Sequence, residues 1–145
     1  AMKAAKFNAK VTLPKKSHIY DTRNGKYLGF INTFTATFFP GEGAMYTIMP
    51  NKLAGIKVTG PAKARLGEVV KVKVDAPKGH HVYAMRVINP QGKDVIEYRK
   101  VLNVAGSGEF TIPFALNDPI GNYQVVITEA ATGLQGKLKI NVMEK

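Results

Sequence analysis

The chain has 145 residues, 45% of them hydrophobic and 21% charged, and a formal net charge of +11. That is the composition of a folded, basic domain and not of a disordered segment. With no Cys and three His, a disulfide framework, a Cys-ligated zinc and a thiol nucleophile are excluded, and a three-His metal centre would need every histidine present.

Ala1-Met2-Lys3-Ala4 lacks the apolar core of roughly 7–15 residues that a secretory leader needs, and the Ala ahead of Met2 reads as a remnant of tag cleavage. No later run reaches the ~20 apolar residues of a membrane-spanning helix, so no membrane insertion is expected. Ala9–Leu13 reads as a short strand ended by Pro14, with Lys15 and Lys16 behind it. His18-Ile-Tyr20 runs into Asp21-Thr-Arg-Asn-Gly25, a turn rich in residues that accept positive φ. Ile19/Tyr20 and Tyr27/Leu28 are then the arms of a hairpin. Thr33 to Phe39 alternates with Phe34, Ala36 and Phe38 inward, Pro40–Gly43 turns the chain, and Ala44 to Met49 returns. This is a small β element of four or five short strands, readable as the end of a larger sandwich, and Pro50–Gly55 bounds it.

From Gly55 the texture changes. Val70, Val72 and Val74 share one face of a strand and Lys71 and Lys73 the other. Val82 to Ile88 is a more continuous apolar run, the pattern of a central strand. Asn89-Pro-Gln-Gly92 is a turn, Asp94 to Val104 the return strand, and Ala105–Gly108 a second turn. Phe110, Ile112 and Phe114 share a face, and Pro113 marks an edge strand. Asn117–Gly121 and Thr132-Gly133 are turns flanking strands at Tyr123–Thr128 and Gln135–Met143. About seven strands with a turn every ~8–12 residues, and no helical stretch between them, predict an all-β sandwich.

Two sets of motifs resemble known sequences. His18-Ile-Tyr-Asp-Thr-Arg-Asn-Gly-Lys-Tyr-Leu-Gly29, Phe38-Phe-Pro-Gly-Glu-Gly43 and Ile48-Met-Pro50 resemble the C-terminal all-β accessory region of large bacterial secreted glycoside hydrolases of the β-galactosidase-like kind and of related uncharacterised proteins. Val87-Ile-Asn-Pro-Gln-Gly-Lys93, Phe114–Tyr123 and Thr128–Gly133 are similar to macroglobulin-like and other immunoglobulin-like sandwich domains. There the first motif is a hairpin and the second precedes a strand with an inward Tyr. The resemblance implies a small β element over residues 1–54 and an immunoglobulin-like (macroglobulin-like) β-sandwich over residues 55–145. It also implies a non-catalytic accessory module in the C-terminal part of a larger extracellular bacterial protein, secreted or at the cell surface, with that protein's neighbouring domains as partners. The catalytic carboxylates of those hydrolases lie in a barrel that has no counterpart here, so no catalytic residue carries over.

The residues themselves point the same way. Glycoside hydrolysis needs two carboxylates facing one sugar, and the ten acids here fall at turns or on polar strand faces. Asp21 and Asp118 have the positions of turn-capping residues. His80 and His81 are adjacent on a strand, hence on opposite faces, and unsuited to a shared metal ion. Ser17 and Ser107 lie outside any nucleophile-elbow sequence, and Ala105–Gly108 has neither the Lys nor the helix of a phosphate loop. No catalytic residue, cofactor or metal is therefore expected. The positive charge is biased to the first third, at Lys3, Lys6, Lys10, Lys15, Lys16, Arg23 and Lys26. Tyr20, Arg23, Tyr27, Lys15 and Lys16 form the candidate ligand-binding set, with a polysaccharide as external partner. In the alternative reading of a carbohydrate-binding module, surface tyrosines would stack on sugar rings. Tyr20, Tyr27, Phe30, Tyr46, Tyr83 and Tyr98 are the aromatics available for such a platform. Nucleic acid is disfavoured, since no single-strand-binding signature and no Arg-rich tract is present.

Overall fold

A computed structural model describes residues 5–76 and 79–145. The leading Ala1–Ala4, with Lys3 of the basic bias, and Pro77-Lys78 of the loop before His80 lie outside the described residues. The chain divides into two compact units, Ala1–Lys52 with Ala131–Gly133, and Leu53–Ala130 with Leu134–Lys145.

The first unit is a three-stranded antiparallel sheet in the order β2-β1-β3. Its strands are β1 (Phe7–Asp21), β2 (Lys26–Phe38) and β3 (Tyr46–Met49). Among the described residues the expected four or five short strands are thus three, two of them long. Pro14 does not end β1. The register with β2 breaks between Thr12, opposite Thr33, and Ser17, opposite Ile31, so Pro14 falls in a bulge where its missing N–H costs no ladder bond. A second shift, from Ile19 opposite Gly29 to Tyr20 opposite Tyr27, uses a positive φ of 134° at Gly29, a conformation that glycine adopts without steric cost. The expected hairpin is present, with Tyr20 paired to Tyr27. The return segment differs from the reading: β3 pairs with β1, Ile19 opposite Ile48, and not with the Thr33–Phe38 segment before it.

The second unit is a two-layer sandwich. One sheet has the order β4-β6-β9 and the other β5-β11-β10-β7-β8. The strands are β4 (Lys57–Thr59), β5 (Lys63–Arg65), β6 (Val69–Asp75), β7 (His80–Ile88), β8 (Lys100–Ala105), β9 (Gly108–Pro113), β10 (Gly121–Glu129) and β11 (Gln135–Met143). The count among the described residues is eight against about seven expected, because the short lead-in splits: β4 joins one sheet, and β5 crosses to the other to run parallel to β11. Antiparallel pairing elsewhere, with this sheet switch, is the arrangement of an immunoglobulin-like sandwich.

Alternation builds the core. Val70, Val72 and Val74 from β6 and Phe110 and Ile112 from β9 face Tyr83, Met85 and Val87 from β7, Tyr123, Val125 and Ile127 from β10, and Ile140 and Val142 from β11. All are buried in one cluster. Pro113 closes β9 at the edge of its sheet, as its missing donor requires. Asp94–Val104 is not one return strand. Asp94 makes an isolated bridge to Ile88, a 3₁₀ turn covers Ile96–Tyr98, and β8 starts only at Lys100. The turn lets Tyr98 bury its ring, edge-on to Phe114 with centroids 5.9 Å apart.

Truncating Ile127→Ala, fully buried, leaves a cavity between the layers and lowers the unfolding free energy by about 2–5 kcal/mol. Val101→Ala, on a side chain 71% exposed, changes it by less than about 0.5 kcal/mol. Urea titrations of the two variants beside the parent chain check this order.

Candidate functional site

The five candidate residues all lie in the first unit, and the structure gives them different fates. Register places His18 opposite Phe30 and Tyr20 opposite Tyr27, so these four side chains share one face of the hairpin. Tyr20 is completely buried and offers no ring face to a ligand. Its ring centroid lies 5.1 Å from that of Tyr27. Tyr27 is half-buried; its hydroxyl sits 2.8 Å from His18 Nδ1, and the Lys52 ammonium lies 4.6 Å from its ring centroid. A cation in that position is worth about 0.5–1 kcal/mol at an exposed site, and a ligand ring stacking there would have to displace it. Lys15 and Lys16 are exposed in the β1 bulge, outside the paired register.

Arg23 is drawn to the opposite rim of the turn. Its Nη1 donates to the Gly43 carbonyl at 2.7 Å and lies 3.4 Å from Glu42. Asp21 accepts from the Asn24 backbone at 3.1 Å and from the Asn24 amide at 2.7 Å, the turn-capping role its position predicted. Asp21, Arg23, Glu42 and Tyr46 line a small cleft of about 140 Å³. The structure therefore brings Tyr20 and Tyr27 together, sets Arg23 beside Glu42, and leaves the lysine pair apart in the bulge. Sequence reasoning passed over His18 and Lys52. The parity of His18 with Tyr20 along β1 was the available signal for the first. The seat of Lys52 depends on the path of Pro50–Lys52, which no local pattern specifies.

The remaining aromatics of the candidate platform divide too. Tyr83 and Tyr98 are buried, so they are core and not platform. Phe30 is exposed and Tyr46 is half-buried, with its ring 4.7 Å from Phe34.

In the second unit the ionisable groups near the core are joined in structural pairs. His81 and Glu129 are both buried, with Nδ1 and Oε1 3.6 Å apart, while His80 points outward. A buried pair of this kind holds position more than it adds stability, because desolvation offsets most of the attraction. Tyr98 donates to Asp118, and the Ala115 N–H reaches both the Tyr98 hydroxyl, at 3.0 Å, and Asp118, at 2.8 Å. Tyr123 donates to the Pro119 carbonyl at 2.8 Å, the tyrosine corner of immunoglobulin-like sandwiches. Burial, with the Asp118 hydrogen bond behind it, pushes the Tyr98 phenol up to about 12. Burial, then the Asp118 charge, does the same to Tyr123, also to about 12. Among the described residues no group of three or more His, Cys, Asp or Glu could hold a metal ion. No helix among them is long and apolar enough to cross a membrane.

No family model matches the sequence, and no curated protein does. Solved structures similar to the chain include the CARDB domain of the PF1109 protein of Pyrococcus furiosus, in complex with di-metal ions (9% identity, 63% of this chain and 88% of that one, TM-score 0.45). Others are Rst D1-D2 (12% identity, 98% and 92%, TM-score 0.38) and the chicken interferon gamma receptor alpha chain (14% identity, 98% and 87%, TM-score 0.40). Likeness at these levels carries no residue and no activity across to this chain.

Because the folded state holds Tyr98 and Tyr123 above the ~10 of an unfolded tyrosine, their contribution to stability is complete below pH ~10. It is lost as pH rises towards 12. A phenolate absorbance titration of the native protein is expected to show these two ionising well above the ~10 of a free phenol, together with the onset of unfolding. Tyr98→Phe removes the Asp118 and Ala115 bonds, lowers neutral-pH stability by about 1–2 kcal/mol, and flattens the alkaline limb.

Proposed function

We propose that this chain is a non-catalytic interaction module, an immunoglobulin-like sandwich with an attached β hairpin unit that binds partners through exposed strand faces and turns. The observation behind it is the state of the polar groups lining the cleft of the first unit. Asp21 is tied to Asn24, and Arg23 to Gly43 and Glu42. A general acid and base acting on one bond need a proton to move and a site for the reacting atom, whereas these groups are engaged in fixing a turn. The exposed residues of the hairpin, Lys15, Lys16, Arg23 and the accessible edge of Tyr27, are its proposed contacts with a neighbouring domain or a glycan. The wider setting, the C-terminal region of a larger secreted protein of the glycoside-hydrolase kind, rests on the resemblance of the motifs at residues 18–50.

The purified chain is expected to release no chromophore from a panel of aryl glycosides. Turnover that disappears in Asp21→Asn/Glu42→Gln would contradict the proposal. On immobilised glycans or neighbouring domains, Arg23→Ala and Tyr27→Ala are expected to weaken any binding through the hairpin severalfold, and thermal unfolding of each variant separates that loss from a loosened turn.

A further inference from the structure

The two outward faces of the sandwich differ in charge. On the three-stranded sheet Lys57, Lys71 and Lys73 are answered by Asp75 and Glu109, with Lys71 and Glu109 3.1 Å apart. On the five-stranded sheet the inward Ala64, Val87, Ile140 and Val142 fix the alternate positions as outward. Those positions carry Lys63 and Arg65 on β5, Arg86 on β7, and Lys137 and Lys139 on β11, all exposed. Arg99, just before β8, is exposed beside them. Two carboxylates lie beside these six cations: Asp94, 2.8 Å from Arg99 and 3.6 Å from Arg86, and Glu68, which accepts from the Arg65 backbone N–H at 2.7 Å, while the Arg65 guanidinium donates to the Glu144 carbonyl at 3.3 Å. Among the described residues no carboxylate comes within ion-pairing distance of Lys63, Arg65, Lys137 or Lys139.

Register orders these charges. Lys137, Val126 and Arg86 form one row across β11, β10 and β7. Lys139 and Gln124 start the next row, and Asn141 and Asn122 the one after, with their amides 2.9 Å apart. Cations two residues apart on a strand stand roughly 7 Å apart, and those two strands apart roughly 10 Å. Val126, outward yet only 4% exposed, sits between Lys137 and Arg86, whose aliphatic stems are able to cover it while their heads stay in water. None of the outward positions on these five strands holds Phe, Tyr or Trp.

We infer that this face is a docking surface for an extended acidic polysaccharide, a chain bearing carboxylate or sulfate groups. Rows of cations meet the anions. The amides between them, Gln124, Asn122 and Asn141, supply donors and acceptors to sugar hydroxyls. The absence of aromatic rings removes the stacking that binds single-stranded nucleic acid or a neutral glycan. The inference rests on the reading of the chain as a binding module, and not on the hairpin.

The test uses the full chain and four immobilised probes: polygalacturonate, dextran sulfate, neutral dextran and oligothymidylate. Retention on one or both acidic polysaccharides, weakening as salt rises and exceeding that on oligothymidylate, is expected, with none on neutral dextran. Lys137→Gln/Lys139→Gln is expected to cost about tenfold in affinity, through loss of counterion release. Lys71→Gln/Lys73→Gln removes the same charge from the other face and is expected to cost less than about twofold. Thermal unfolding of both variants checks that the sandwich is intact, and Arg86→Gln supplies an independent variant of the same face. Equal losses in the two double variants, tighter binding to oligothymidylate, or no retention on either acidic polymer overturns the inference. New reducing ends in the polygalacturonate would instead contradict the non-catalytic reading, so the two failures are told apart.

Discussion

The structure depends on one constraint, the strict inward alternation of apolar side chains on β6 and β9 against those on β7, β10 and β11. Val72, Val74, Val87, Val125, Ile127 and Ile140 have no measurable exposure. Each marks a strand position whose neighbours must then point to the outer face of its sheet. Because side chains on a strand repeat every second residue, a register slip of one would exchange the two faces entirely. The same alternation that fixes the core therefore fixes which lysines share an outer surface. Charge on this chain is a consequence of packing before it is a property of a site.

The polar groups at the ends of the sandwich serve that packing. Tyr123 ties to Pro119, Tyr98 to Asp118 and Ala115, and His81 to Glu129. These bonds hold turns and strand ends where a hydroxyl or carboxylate would otherwise be buried at a cost of about 1–3 kcal/mol. On the proposed reading, the broad sheet faces and the turns of the first unit are then the surfaces left for other molecules. Gly136 on β11 shows how closely the layers approach at one edge. A Cβ built there would lie 2.4 Å from Val58 Cγ2 and 3.1 Å from the Ile56 carbonyl.

Much of this fold is legible in the sequence, because most strands here have one wet face. The Val70–Val74 alternation, the Phe110–Ile112–Phe114 face and the edge role of Pro113 follow from parity and turn chemistry, and the inward Tyr123 from the resemblance of its motif to immunoglobulin-like sandwich domains. Pro14 misled because a proline ends a regular strand but is accommodated in a bulge, and a bulge is set by the partner strand. The break at Ile96–Tyr98 was hidden because Val95, Ile96 and Tyr98 are good strand formers; the pull of Asp118 on the Tyr98 hydroxyl comes from 20 residues away. Of the proposed ligand residues, Tyr20 is buried by neighbours that its own segment does not reveal. The cationic face was illegible for a related reason. Lys63, Arg86 and Lys137 are scattered along the chain, and only the order β5-β11-β10-β7 makes them one surface.

The most direct measurement is a map of backbone amide chemical shifts of the labelled chain during titration with short polygalacturonate oligomers. The account predicts saturable shifts confined to outward positions of β11, β10, β7 and β5, led by Lys137, Lys139 and Arg86, with β4, β6 and β9 unmoved. Shifts spread evenly over both faces of the sandwich, or centred on Lys71 and Lys73, would contradict it.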